Sequence, residues 1–347
     1  MSQAQSSLET KIFRLELRHT WTTTMAASNW RETIFVHFRR DGIEGIGEGA
    51  PILTYQESAE SAEQAVASVR EQILDAKPMQ FAKIRAQIGR SLKGEWAARS
   101  AMDLALYDWM GKRLGIPLYE HFGLDPKEAP VTSYSIGIDE PEIVRQKVRE
   151  AEGFAVLKVK VGLDSDEQMI AAVRSMTDRP LRVDANQGWT NREEAARKLD
   201  WLADQNVEFV EQPMPVAKTD EQREDMRWLY ERASLPLIAD ESCRHPKDIP
   251  QLVGLFHGVN IKLDKAGGLG MAHEMLLMGQ SLGFKTMIGC MVSSSCAITA
   301  AAHLSPLADY ADLDGNLLIA NDPYRGVTIR DGRLKLPARP GLGIIPA

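Results

Sequence analysis

The sequence predicts a TIM-like (β/α)7β barrel of the α/β class, carrying an N-terminal α+β capping domain. Three observations predict it. From about Val131 onward, eight short strand-like runs alternate with helical stretches. Before that point strands come first and helices after, the mark of a separate α+β unit. No GxGxxG follows a strand, which argues against an open dinucleotide-binding sheet. The expected boundaries are 1–125 for the capping domain, 126–320 for the catalytic barrel, and 321–347 for a tail rich in Gly and Pro that packs on the cap.

In the cap, Ile12–His19 and Thr33–Arg39 alternate like strands, and Asp41-Gly42 is a hairpin turn leading into Ile43–Glu48. A helix is expected from Ser58 to about Lys77. A second runs from about Ala97 to Leu114, where Ala101, Leu104, Ala105 and Trp109 recur at helical spacing and Gly115 with Pro117 ends the run. The barrel strands are placed at Thr132–Ile138, Ala155–Val161, Leu181–Asp184, Val207–Glu211, Pro236–Asp240, Gly258–Leu263, Lys285–Gly289 and Tyr310–Asp312. Asp166–Thr177 and Asn191–Asp204 are among the helices between them.

Composition narrows the function. The 347 residues are 44% hydrophobic and 26% charged with a net charge of −7, an ordinary globular balance. Lys and Arg are scattered and form no basic face, so no nucleic-acid partner is expected. No run of about 18 apolar residues exists to cross a membrane. Met1–Thr10 lacks the apolar core of a signal peptide. Cys243, Cys290 and Cys296 are too few and too unevenly placed for a disulfide framework or a zinc cluster. A reducing cytoplasm fits the cysteine usage; a small-molecule partner and assembly as a homo-oligomer are expected.

A barrel's active site lies at the C-terminal ends of its strands. Reading only those ends gives Lys158 and Lys160, Asp184, Glu211, Asp240, Lys262, then Asp312 and Asp314. Lys160, Asp184, Glu211, Asp240 and Lys262 follow at intervals of 24, 27, 29 and 22 residues, each about one β/α unit. Alone, a Lys-x-Lys reads as a solvated face and an acid after a strand as a helix cap. Five such charges ending consecutive apolar strands read as a site.

Three carboxylates converging from neighbouring strands, Asp184, Glu211 and Asp240, need a cation between them. Hard oxygen ligands with open positions suit Mg2+, one per subunit. That charge would stabilise the enediolate formed when a proton leaves the carbon beside a carboxylate. Lys160 and Lys262, flanking the acids, suit the two opposed acid/base roles. Lys158, with the metal, is expected to depress the Lys160 pKa, and could also hold a substrate carboxylate. The histidines lack a metal-binding spacing, and no G-x-S-x-G surrounds Ser293–Ser295.

Lys158-Val159-Lys160, Asp184-Ala185-Asn186, Glu211-Gln212-Pro213, Asp240-Glu241-Ser242 and Asn260-Ile261-Lys262-Leu263-Asp264-Lys265 resemble the muconate-lactonising subgroup of the enolase superfamily. A mandelate-racemase-like member would carry a histidine at the end of the seventh strand, where this chain has Gly289-Cys290. Asp312-Leu313-Asp314 resembles the Asp-x-Asp with which dipeptide epimerases bind the α-ammonium of a dipeptide. The resemblance further implies that Ser135 and Cys290 contact substrate. It implies an isomerase that inverts the C-terminal residue of a dipeptide by 1,1-proton transfer.

The best-known substrates of that family are Ala-Glu dipeptides, and some members hold the glutamate with an arginine in the first capping loop. Here that loop, Trp21 to Trp30, contains none, and Arg31 is placed at the start of the next strand. The dipeptide preferred is left open, neutral and apolar side chains included. Two other activities of the subgroup, N-acylamino-acid racemase and o-succinylbenzoate synthase, share the lysines and the metal but need no ammonium-binding acids. A non-catalytic barrel binding metal and a small carboxylate is the remaining alternative.

Overall fold

Alternating glycines decide how the cap is built. The computed structural model describes residues 6–22, 24 and 27–347. Its first sheet is antiparallel: β1 (Ser7–Thr22), β2 (Ala27–Arg40) and β3 (Ile43–Gly49), in that order. Asp41 and Gly42 both have positive φ, 53° and 74°, as a two-residue hairpin turn requires. On β3, Gly45, Gly47 and Gly49 turn one face toward α3 (Trp96–Leu114). A Cβ on any of them would stand 2.0 Å from the carbonyl oxygen of Ala105, Ala101 or Ala97 respectively. Two strand residues and four helix residues both advance ~6 Å, so the two rows stay in step along the contact.

The remaining cap helices are α1 (Ala59–Asp75), α2 (Phe81–Ser91) and the short α4 (Leu118–His121). Ser58 caps α1, its hydroxyl accepting from Ser61 N at 3.0 Å. Gly115, with φ 74°, ends α3. The sequence reading missed α2, whose buried residues are Ile84 and Ile88, a single helical repeat. It also cut β1 and β2 short. Both continue into a polar, Thr-rich ribbon, paired as far as Trp21↔Ser28 and Thr22↔Ala27.

Eight parallel strands follow: β4 (Ser133–Ile136), β5 (Val156–Lys160), β6 (Leu181–Asp184), β7 (Val207–Glu211), β8 (Leu237–Ala239), β9 (Gly258–Lys262), β10 (Lys285–Gly289) and β11 (Tyr310–Asp312). They neighbour one another in sequence order, and a parallel bridge between Thr132 and Ala311 closes the ring. Each lies within a run read from the sequence. The barrel helices are α5 (Pro141–Glu150), α6 (Asp166–Arg174), α7 (Arg192–Ala203), α8 (Asp220–Arg232), α9 (Leu263–Ala266), α10 (Leu269–Ser281) and α11 (Ser295–Ala302). Between β8 and β9 the crossover carries only a 3-10 turn, Ile249–Leu252.

The tail touches cap and barrel alike. Tyr324 meets Phe35 edge to face at 5.3 Å, Leu342 N donates to Asp108 Oδ1 at 2.8 Å, and Arg333 bridges to Val131. No helix among the described residues is long and apolar enough to cross a membrane. The three cysteines are unpaired.

Candidate active site

Side chains alternate along a strand, so every second residue of a barrel strand points inward. Phe209, Ile238 and Met287 pack together with Tyr310 in the barrel interior. The guanidinium of Arg182 lies over the rings of Tyr310 and Phe209, at 5.0 and 5.6 Å. Two residues further along the same strands stand Asp184, Glu211, Asp240, Gly289 and Asp312. An interior of aromatic and apolar groups therefore gives way, one pleat higher, to a ring of charge.

Backbone register sets the heights. Lys160 pairs directly with Asp184, and Asp184 with Glu211; Lys262 and Asp312 both pair with Gly289. The ring is knitted by short contacts. Lys160 Nζ lies 2.6 Å from Asp184 Oδ2, and Lys262 Nζ 2.8 Å from Asp240 Oδ2. Lys265, one turn beyond β9, donates to Asp240 Oδ1 at 2.6 Å and to Asn260 O at 2.9 Å. Lys158 lies 3.1 Å from Asp184, 2.7 Å from Glu211 and 2.7 Å from Asp312.

A cavity of about 220 Å³ opens above the ring. Lys160, Lys262, Lys265, Asp240 and Asn186 form its barrel wall, with Cys290–Val292 beside them. The cap closes it with Trp21, Arg31, Glu32 and the loop Ala50–Tyr55. β5 and β9 are four strands apart in a ring of eight, so the two lysines face each other across the mouth.

Asp184, Glu211 and Asp240 fit a divalent cation. One carboxylate oxygen from each lies within 4.8 Å of the others, close enough for the three to converge on one cation. All three side chains are almost wholly buried, a costly arrangement for bare carboxylates. Burial and the neighbouring Asp184 push Glu211 up to about 7. Its Oε2, though near Lys158, has no hydrogen-bond partner, and neither do Asn186 Oδ1 and Glu241 Oε2.

Family models match both parts of the chain. Residues 142–346 match the enolase C-terminal domain-like model, and residues 8–123 the N-terminal domain of mandelate racemase / muconate lactonizing enzyme. The chain belongs to the enolase superfamily. This superfamily member is 41% identical to the L-Ala-D/L-amino acid epimerase of Pedosphaera parvula, over 94% of each chain. It is 40% identical to the L-Ala-D/L-Glu epimerase of Bacteroides thetaiotaomicron, over 96% of this chain and 86% of the relative. Among solved structures it superposes on the dipeptide epimerase of Enterococcus faecalis complexed with Mg and L-Leu-L-Tyr. That match has a TM-score of 0.90 and 31% identity, over 97% of this chain and 98% of the other.

The enolase-superfamily site holds the expected residues in two layers. Lys160, Asp240, Lys262 and Cys290 line the cavity. Ser135, Lys158, Asp312 and Asp314 lie behind that wall as two bonded pairs, Lys158 with Asp312 and Ser135 with Asp314. Ser133 Oγ donates to Asp312 at 2.6 Å, and Ser135 N to Asp314 at 2.6 Å. Lys158 is buried among three acids. Burial opposes its charge, but Asp312, Glu211 and Asp184 outweigh it and hold its pKa well above the ordinary lysine value. Lys262 behaves likewise: burial lowers and Asp240 and Glu211 raise, with a net rise. Burial pushes the Cys290 thiol far up, which suits a packing role.

Sequence reasoning named Lys265, Asn260 and Arg31 but gave them no role in the site. Asn260 sits inward one pleat below Lys262 and donates to Glu211 at 2.8 Å. Lys265 was three residues past Lys262, a helical offset that carried the signal. Arg31 lies within β2 and reaches the cavity because that ribbon extends over the mouth. Part of the first capping loop, positions 23, 25 and 26, lies outside the described residues.

Proposed function

We propose that this chain is a dipeptide epimerase that inverts the α-carbon of the C-terminal residue of a dipeptide. The observation that carries the reading is the opposition of Lys160 and Lys262 across a cavity walled by Asp240. Asp184, Glu211 and Asp240 would hold a single Mg2+, the metal present with a dipeptide in the Enterococcus faecalis structure. Bound there, the metal supplies positive charge beside the substrate carboxylate, where proton removal places negative charge.

The chain's own groups do the rest. One lysine, as the free amine, takes the α-proton from its face, and the C–H electron pair spreads into the carboxylate. The opposite lysine, as ammonium, returns a proton to the other face, so one lysine gains the proton that the other loses. Lys265 balances the second oxygen of Asp240, and Asn260 orients Glu211. The cap covers the mouth and keeps water from the carbanionic carbon. Asp312 and Asp314 offer negative charge behind the wall for the α-ammonium.

Arg31 points to an acidic side chain on the epimerised residue. It is partly buried, burial lowers its pKa, and no carboxylate of the described residues pairs with it. Three unpaired cysteines support a cytoplasmic location. Assembly as a homo-oligomer belongs to the same reading and is checked by light scattering.

The test is proton NMR in heavy water with Mg2+ and a panel of L,L-dipeptides, L-Ala-L-Glu among them. The α-proton signal of the C-terminal residue is expected to vanish, fastest for acidic side chains, and Lys262→Ala to lose inversion by ~10²–10⁴-fold. Exchange of N-succinyl amino acids with none on any dipeptide would replace this reading with the N-acylamino-acid racemase. Undiminished inversion in Lys262→Ala would sink the two-lysine mechanism.

A further inference from the structure

Twelve buried side-chain atoms among the described residues lack a hydrogen-bond partner, and nine of them gather in two places. Four belong to Asn186, Glu211, Glu241 and Asn260, in the site above. Five others belong to a second cavity, of about 160 Å³, between α2 and α3 of the cap and the barrel segments holding His245 and Gly267. They are Arg85 Nε and Nη1, Arg99 Nε, Asp103 Oδ1 and His245 Nδ1.

Both guanidinium groups are held by their far ends. Arg85 Nη2 donates to Glu274 Oε1 at 2.7 Å. Arg99 Nη2 donates to Gly89 O and Leu92 O, and its plane lies 4.2 Å over the Trp96 ring, which stacks on His245 at 4.0 Å. Their Nε edges are thereby fixed and left without partners. Asp103 is 2% exposed; its Oδ2 accepts from Gly270 N at 3.0 Å while its Oδ1 has none. The cavity thus presents fixed donors from two cations and one acceptor from a buried acid.

We propose that this cavity binds a small oxyanion bearing a hydroxyl, of the monohydrogen phosphate kind. Two unprotonated oxygens accept from Arg85 and Arg99, and the hydroxyl donates to Asp103 Oδ1. The space equals about five waters at ~30 Å³ each, room for such a group with one or two waters. The ligand joins the cap to the barrel, because its donors sit on α2 and α3 while His245 and Gly267 close the other side. Two short links run from here to the catalytic cavity. Trp96 N donates to Glu57, which holds Ile52 N, and Gly267 stands two residues from Lys265.

The test is calorimetric titration of the whole protein with inorganic phosphate, after chelation so that metal-bound phosphate does not contribute, with thermal unfolding beside it. Phosphate is expected to bind and raise Tm. Sulfate, which has no proton to give Asp103 at neutral pH, is expected to bind about tenfold more weakly or worse. Arg99→Gln should remove the phosphate response, and Arg85→Lys, which keeps charge but loses Nε, should weaken it if Arg99→Gln does not fold. No phosphate response, sulfate equal to phosphate, or binding unchanged in both variants would overturn the proposal. None of these readouts uses catalysis, so a failure of the epimerase reading stays separate.

Discussion

Asp312 contacts Lys158 at 2.7 Å and Ser133 at 2.6 Å, and all three side chains are buried. Losing one acid leaves buried Lys158 with two others, Asp184 and Glu211, so the cost falls below the ~3–5 kcal/mol of a fully uncompensated buried charge. Asp312→Asn is therefore expected to lower the unfolding midpoint as well as the exchange rate. Asp314 separates the two effects. Its carboxylate accepts from Ser135 N, an acceptor that Asn keeps. Asp314→Asn should leave the midpoint near the wild type and raise KM for dipeptides, but not for N-acylated substrates. Equal effects on both substrates would remove ammonium binding from its role. At this scale the sequence was most legible where a charge ended an apolar strand. Arg31 escaped because nothing local to it says that a cap strand continues over the barrel.

The contact between β3 and α3 is an element-scale feature. Gly47→Ala places a Cβ 2.0 Å from Ala101 O, and both partners are backbone in regular structure, so neither moves freely. A loss of ~1–3 kcal/mol is expected, read as a lower denaturant midpoint, with the barrel mouth disturbed through the cap. The cavity loop Ala50–Tyr55 rests on buried acids. Asp264 Oδ1 accepts from Ala50 N at 2.9 Å, and Glu57 Oε2 from Ile52 N at 3.0 Å. Burial pushes Asp264 up to about 7 from the ordinary 3.8. The folded chain thus holds that proton more tightly than the unfolded chain. The contribution to stability is complete below about pH 4 and declines as pH rises to about 7. Asp264→Asn keeps the acceptor and removes the titration. It should exceed wild-type stability at pH 8 by more than at pH 5; a constant difference would refute this. The helix α2 was illegible at this scale because only Ile84 and Ile88 face the core.

At the scale of the whole molecule, cap and barrel are one device. Glu48 of β3 accepts from Ser294 N at 2.9 Å and Ala297 N at 3.0 Å, so a cap carboxylate sits at the N-terminus of the barrel helix α11. The metal triad joins three consecutive strands at the end that the cap covers. Mg2+ at 100 times its Kd should stabilise the fold by about 2.7 kcal/mol, seen as a rise in Tm that chelation reverses. Glu211→Gln should abolish that rise; a rise that persists would place the metal elsewhere.

The sequence by itself determined the barrel, the strand positions and the charged ring. Strand, helix and strand-end charge recur at one spacing, and a closed ring of parallel strands turns equal spacing into equal height. Tertiary structure alone decided which ring members face the cavity. Depth across a pleat, 182 against 184 or 260 against 262, follows from neighbours that are distant in the chain. It likewise decided that Lys158 is held as a cation among three acids. The second cavity is the same case: Arg85, Arg99 and Asp103 meet His245 only where cap and barrel close, and no local pattern records that meeting.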